Sequence, residues 1–223
     1  MNIFPHLEGT IDDFDVIVEG HLRWNRYFGE TPSSPPRGYP STCTSVMIRG
    51  KDTTGKAYVL IVDPTTRWTP KDYYFDVNRR TGLYPEAITH CFSTHHHGDH
   101  VEGLQYFPGA VWLAGRGAAQ LIRETATIEG IERIQEVCGE FLPGVYALPL
   151  PGHTDTLHGV AFCFRGKKIL VAGDGIMTKY HFLHNTTEFE TDAEIAAQTI
   201  RNIKESFDFV IPGHDGLQIV FPD

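Results

Sequence analysis

The chain is poor in cysteine, in basic runs and in long apolar stretches, and each shortage excludes something. It holds four cysteines in 223 residues, Cys43, Cys91, Cys138 and Cys163. None forms a CxxC pair, and on spacing alone a cysteine zinc site is not expected. In a reducing compartment they are expected as small buried or half-buried side chains. No apolar run approaches the roughly 20 residues that span a bilayer, so no membrane partner is expected. The opening MNIFPHLEGT has no basic start followed by an apolar stretch; no secretory signal is read there, and a cytoplasmic location is the default expectation. Lys and Arg number 19 against 28 Asp and Glu, a formal net charge of −9. Arg79-Arg80 and Lys167-Lys168 are isolated pairs, not a basic stripe. That balance disfavours nucleic acid as a partner.

What is present reads as a folded chain. Hydrophobic residues make up 41% and charged residues 21%, ordinary globular values, and the length fits one domain over residues 1–223. No internal repeat or low-complexity tract interrupts it. The segment Gly29 to Pro40, GETPSSPPRGYP, reads as a long surface loop. Short runs rich in β-branched and aromatic residues predict strands at Phe14–Val18, Thr44–Ile48, Tyr58–Val62, Ala87–Phe92, Val111–Leu113, Val145–Leu150, Val160–Phe164, Lys168–Val171 and Phe207–Ile211, with a hairpin turn at Lys51–Lys56. Helical spacing predicts Gly115–Thr125, with Ala118, Leu121 and Ile122 on one face. It also predicts Asp192–Ser206, with Ile195, Ala196, Thr199, Ile200 and Ile203 on one face and Thr191 or Asp192 as the cap. Paired strands with interspersed helices suggest a layered α/β fold with two sheets.

Five of the strand-like runs lead into histidine or aspartate: YVLIVD at Asp63, AITHCFST into His95–His100, VYALPLPGH at His153, KILVAGD at Asp174 and FDFVIPGH at His214. The ends of buried strands are where α/β folds gather their sites. In Thr94–His100, THHHGDH, the order is His-x-His-x-Asp-His. Imidazole and carboxylate suit zinc, manganese or iron. Four ligand types in six residues exceed what one metal accepts from so short a loop, so a second metal is implied, with His153, Asp174 and His214 as remaining donors. His96 falls in a variable slot and is expected to face solvent or back the site. His6, His21, His90 and His158 belong to no motif.

THHHGDH followed by PGHT (Pro151–Thr154), AGD (Ala172–Asp174) and PGH (Pro212–His214) resembles the metallo-β-lactamase superfamily. The motifs match in chain order and span Asp63 to His214. The resemblance implies an αββα four-layer sandwich of two mixed sheets flanked by helices, with the site at one edge. It implies that His95, His97 and His153 bind one metal, that Asp99, His100 and His214 bind the other, and that Asp174 bridges both. Asp63 would orient the histidine loop by hydrogen bonding.

Two divalent ions, zinc above all, with manganese or iron as options, could share a hydroxide that attacks a carbonyl carbon or phosphorus. Asp99 can also handle a proton, although a metal-bound carboxylate is a poor free base. No serine or cysteine nucleophile is expected. True β-lactamases of the fold carry a cysteine, or no bridging aspartate, at the place of Asp174, and flavodiiron oxygen reductases place glutamate at the position of His97. Glyoxalase II enzymes continue into a helical domain, whereas this chain ends nine residues after His214. RNA-processing nucleases insert a domain that this length has no room for. The layout is similar to small members of the family, N-acyl homoserine lactonase-like and metallo-β-lactamase domain-containing protein 1-like. The loop from Trp24, with Tyr27, Phe28 and Tyr39, and the segment after Asp174, with Tyr180, His181 and His184, are expected to shape specificity. Tyr180 and His184 are the candidates for substrate contact or a catalytic role. An aromatic rim favours a small ester, lactone or thioester. A phosphodiesterase or nuclease would need cations near the metals, for which Arg67, Arg79, Arg80 and Lys179 are available, and an iron-dependent redox protein is a third option. The aromatics of the Trp24 loop could also serve a homodimer.

Overall fold

The computed structural model describes residues 4–35, 40–66, 69–189 and 191–219; Tyr39 and Arg67 lie outside them. Two six-stranded mixed sheets form the centre. The first runs in chain order: β1 (Asp13–Val18), β2 (Ser45–Lys51), β3 (Ala57–Val62), β4 (His90–Ser93), β5 (Val111–Gly115) and β6 (Gln135–Val137). The second comprises β7 (Gly139–Leu142), β8 (Val145–Pro149), β9 (His158–Phe164), β10 (Lys167–Gly173), β11 (Phe209–Pro212) and β12 (Gln218–Ile219), again as consecutive neighbours. Among the described residues, five α-helices accompany them: α1 (Pro70–Thr81), α2 (Gly98–Val101), α3 (Ala118–Thr125), α4 (Lys179–His184) and α5 (Ala193–Ser206).

The layering follows from strand periodicity. Successive side chains of a strand face opposite ways, and the central strands are apolar on both faces. In β3, Tyr58, Leu60 and Val62 enter a core that also takes Val160, Phe162, Ile169 and Val171 from the second sheet. Val59 and Ile61 enter another, with Tyr73 and Val77 of α1 and Ile122 of α3. In β10, Leu170 and Ala172 turn to a third core with Ile200 and Ile203 of α5. Three cores between four layers make the αββα sandwich that the sequence implies.

Several boundaries differ from the sequence reading. The 87–92 run opens as a single helical turn, Pro85–Ala87, and the strand starts at His90. Asp192 caps α5, its side chain accepting from the amides of Glu194 and Ile195. Ile195, expected on the core face, is 46% exposed while Ala196, Thr199, Ile200 and Ile203 are buried. Leu121 of α3 is only half-buried, and Ala119 takes its place against the sheet. Cys43 and Cys91 are buried and Cys163 half-buried, but Cys138 is exposed, because it joins two short strands, β6 and β7, whose adjoining ends are largely exposed. Among the described residues, no helix is long and apolar enough to cross a membrane.

Strand direction positions the site. β3 and β4 are parallel, as are β10 and β11. β8 is antiparallel to β9, which is antiparallel to β10, so β8 and β10 run the same way. Each of these five strands delivers its C-terminal end, and the residues that follow, to one rim of the sandwich.

Candidate metal centre

Four of the five strand ends, those of β4, β8, β10 and β11, bring together the seven side chains singled out by the motifs, and β3 delivers Asp63 beside them. Donor atoms of His95, His97, His153 and Asp174 lie within 4.8 Å of one another, as do those of Asp99, His100 and His214. Asp174 joins the two groups. Its Oδ2 lies 3.5 Å from His153 Nε2 and 3.9 Å from His95 Nε2, while its Oδ1 lies 3.2 Å from His214 Nε2 and 3.3 Å from His100 Nε2. Asp99 Oδ2 completes the second group, 3.7 Å from His214 Nε2 and 4.0 Å from His100 Nε2.

The far side of each ring decides which nitrogen is free. Asp63 is buried after β3 with a left-handed backbone (φ 49°). Its carboxylate accepts from Thr94 N at 2.8 Å, from Thr94 Oγ1 at 2.9 Å and from His100 Nδ1 at 2.9 Å. His214 Nδ1 donates to the Thr42 carbonyl at 2.9 Å, and His153 Nδ1 to the Glu188 carbonyl at 2.7 Å. A ring that donates from Nδ1 in its neutral form presents an Nε2 lone pair. The Cys43 thiol donates to the Asp99 carbonyl at 2.9 Å, so this cysteine packs directly under the ligand loop.

These contacts test whether metal suits the site. Asp174 Oδ1 and His100 Nε2 are buried without a hydrogen-bond partner among the described residues. His95 Nε2 and His153 Nε2 each lie 3.0 Å from His97 Nδ1, close to the roughly 3.3 Å edge of a tetrahedron with nitrogen donors at 2.0–2.1 Å. Buried acceptors that converge without donors cost free energy unless a cation sits among them. The donor set therefore fits two borderline metal ions of the zinc type.

Burial, reinforced by neighbouring imidazoles, holds His95 well below the ordinary imidazole value and His97 down to about 4, and burial also lowers His153. Burial acts to lower His100 and His214 too, but there the surrounding carboxylates prevail and raise both. Burial opposes ionisation of Asp174, yet the imidazoles of His214 and His100 hold its carboxyl well below the usual range.

A cavity of about 370 Å³ opens over the cluster, with His97, Asp99, Asp174 and His214 on its floor and Leu22, Trp24, Pro40, Met177 and Phe189 on its walls. A second, of about 440 Å³, adjoins it past Trp24 and His214 and includes Tyr27, Phe28, Tyr180 and His181. Trp24 is buried, whereas Tyr27 and Phe28 are exposed. Tyr180 lines the second cavity and packs edge-on against Tyr27, with ring centres 5.2 Å apart. His184 is exposed, 4.3 Å from the Tyr180 ring, and lines neither cavity. His96 is half-buried against His97.

Among the described residues, the cations near the site are not those expected from the sequence. Arg79 is held by Asp76 on α1 at 3.0 Å, and Arg80 and Lys179 line neither cavity. Arg23 and Arg26 do. Both lie in HLRWNRYF, where an arginine pair three residues apart, beside a tryptophan, was the only available signal.

A family model described as the metallo-beta-lactamase superfamily matches residues 38–214. No curated protein matches the chain. Solved structures resemble it in fold. A candidate metallo-beta-lactamase from Thermotoga maritima superimposes with a TM-score of 0.64 at 15% identity, covering 93% of this chain and 98% of that one. An N-acyl homoserine lactone hydrolase, solved with its product N-hexanoyl-L-homoserine at the catalytic metal centre, gives 0.65 at 18% identity, covering 93% and 94%. A dizinc quorum-quenching lactonase gives 0.61 at 15%, covering 79% and 75%. At such identities the likeness is one of fold.

Proposed function

The chain belongs to the metallo-beta-lactamase superfamily of metal-dependent hydrolases, and from that premise we propose that it holds two divalent ions, zinc foremost, and hydrolyses a small ester, lactone or thioester. The observation that carries this reading is the Asp174 carboxylate, which turns one oxygen to the His95, His97 and His153 group and the other to the His100 and His214 group. His95, His97 and His153 would hold one ion, Asp99, His100 and His214 the other, and Asp174 both. When bound, such a pair supplies a water acidified toward neutrality and a Lewis acid for the substrate oxygen.

The chain's own residues do the rest. Asp63 and the carbonyls of Thr42 and Glu188 fix three imidazoles so that Nε2 faces inward, which spares the site reorganisation during reaction. The Trp24, Met177 and Phe189 walls exclude water on one side and present an apolar surface for an acyl group. Asp99, the most exposed of the carboxylate ligands at 28% of its side chain, is the one best placed to pass a proton to a leaving group. Tyr180, across the second cavity, is placed to meet the far end of a longer substrate. Solved relatives in fold that act on acyl homoserine lactones agree with this substrate class.

One observation favours a second reading. Arg23, on the rim of the cavity, would suit a phosphodiester and hence a phosphodiesterase or nuclease. Parallel rate measurements decide between them, with one zinc- or manganese-loaded sample acting on an acyl lactone, a thioester and a chromogenic phosphodiester. Faster acyl cleavage is expected; faster phosphodiester cleavage would overturn the acyl reading, and no turnover with both metals bound would overturn both.

A further inference from the structure

Glu188 makes contacts that the motif residues do not account for. Its carbonyl oxygen accepts from Nδ1 of His153 at 2.7 Å. Its carboxylate, 14% exposed, gathers two other groups on one oxygen: His181 Nε2 at 3.4 Å and Arg26 Nε at 3.1 Å. His181 is fully buried, and its other ring nitrogen lies 2.8 Å from Thr178 Oγ1. In the neutral ring this assigns the proton to Nε2, with Nδ1 accepting from the threonine hydroxyl. Next to Glu188, the Thr187 hydroxyl donates to the main-chain carbonyl of Asp174 at 3.3 Å. The 187–188 corner therefore touches two of the seven ligands, one through a side chain and one through its backbone.

The corner is not held by its own conformational preference. Phe189, which follows, has φ 54°, a left-handed conformation that a bulky residue adopts only when its surroundings impose it. Left to local preference, the backbone would relax and the Glu188 carbonyl would swing away from His153. The carboxylate ties the corner to two neighbouring segments. The partner Arg26 lies on the turn Arg26–Phe28 beside the cavity, with its guanidinium over the Tyr180 ring at 5.7 Å. Phe189 itself packs edge-on against Trp24 at 6.1 Å and His153 at 6.4 Å.

We infer that Glu188 is a positioning residue: by tying Arg26 and His181 together, its side chain holds its own carbonyl against His153 and so orients that ring toward the metal shared by His95, His97 and Asp174. The inference rests on the ligand assignment proposed above. It differs from a purely structural role, in which the same ion pair would only fasten α4 to the 22–30 segment and its loss would lower the melting temperature without altering the metal.

The test is a titration of metal-free protein with cobalt(II), following the visible absorption of the bound ion and its competition with a chelator. Wild type, Glu188→Ala and Glu188→Gln are compared. Wild type is expected to take up two ions. Glu188→Ala is expected to bind one of them at least about tenfold more weakly, the usual scale for loss of a group that orients a histidine ligand, with a changed band for that ion and little change for the other. Glu188→Gln keeps an acceptor for His181 but loses the charge facing Arg26, so it should fall between the two; it decides the matter alone if Glu188→Ala does not fold. Two sites within twofold of wild type and an unchanged spectrum, even with a lower melting temperature, would overturn the inference and leave the hydrolase reading intact. A wild-type chain that takes up no cobalt would overturn the ligand assignment, and this inference with it.

Discussion

The Oδ2 atom of Asp63 lies 2.9 Å from Nδ1 of His100, on the face of the ring opposite the metal centre. The same carboxylate holds the amide and hydroxyl of Thr94, the first residue of THHHGDH, so one buried side chain fixes both the start of the loop and its last histidine.

Replacing Asp63 with alanine should therefore cost more than one contact. The Thr94 amide would be left buried without its acceptor, and His100 would lose the partner that fixes its tautomer. Metal affinity or activity is expected to fall by about 10- to 100-fold. Asp63→Asn, whose amide can accept from only part of this donor set, should lie between. Metal titration of both variants checks this; wild-type affinity in Asp63→Ala would refute the orienting role.

The small residue of the PGH motif, Gly213, has a steric reason. A β-carbon built there would lie 2.1 Å from Asp174 Oδ1 and 2.8 Å from the Gly173 carbonyl carbon. The Asp174 carboxylate occupies the space that any side chain would need. Gly213→Ala must displace Asp174 or the backbone beside it, and a shift near 1 Å at reacting groups costs about a hundredfold in rate. We expect kcat/KM to drop on that scale with the far-ultraviolet dichroism unchanged. A rate within threefold of wild type would show that Asp174 can move without consequence.

Removing metal should destabilise the fold as well as silence it, because the ligands come from separate strand ends. Free ion at about a hundred times its dissociation constant adds about 2.7 kcal/mol per site. For a chain of this length, that is a fall in melting temperature of roughly 5–10 °C per ion on chelation. Zinc or manganese should restore both stability and turnover. Equal melting temperatures before and after complete chelation would mean the site is not occupied in the folded protein.

Fold and site were legible to different degrees, for physical reasons. β3 and β10 announce themselves because both faces are buried, so runs of consecutive apolar residues stand out. β6 and β7 expose most of their residues and pass for loop. Helix α1 buries only Tyr73, Asp76 and Val77, too few for a helical stripe; its start was nonetheless written in Thr69 and Asp72, which form a reciprocal cap ahead of Pro70. The seven motif residues could be read because donor types recur at strand ends. Glu188 and Arg23 could not, since each is one ordinary residue whose role depends on what the fold sets beside it.

Acid sensitivity should trace in part to His158, which belongs to neither group of metal donors. Burial holds this ring below the ordinary imidazole value, opposed in part by the hydrogen bond to the Thr156 carbonyl and by Glu136, while Arg116 lowers it slightly further. Its Nδ1 donates to the Thr156 carbonyl at 2.9 Å, and the ring fills the space against Gly115. With the folded-state value depressed, the unfolded chain takes up the proton first as pH falls. The contribution to stability is thus complete above the unfolded value, about 6.5, and is lost progressively below it. His158→Gln cannot titrate. It should be somewhat less stable than wild type at pH 7.5, through lost packing, yet lose less on going to pH 5.5. Urea midpoints of both chains at the two pH values, with chelator present throughout so that metal release does not contribute, measure the difference. An equal drop in both would show that His158 keeps its ordinary protonation in the folded protein.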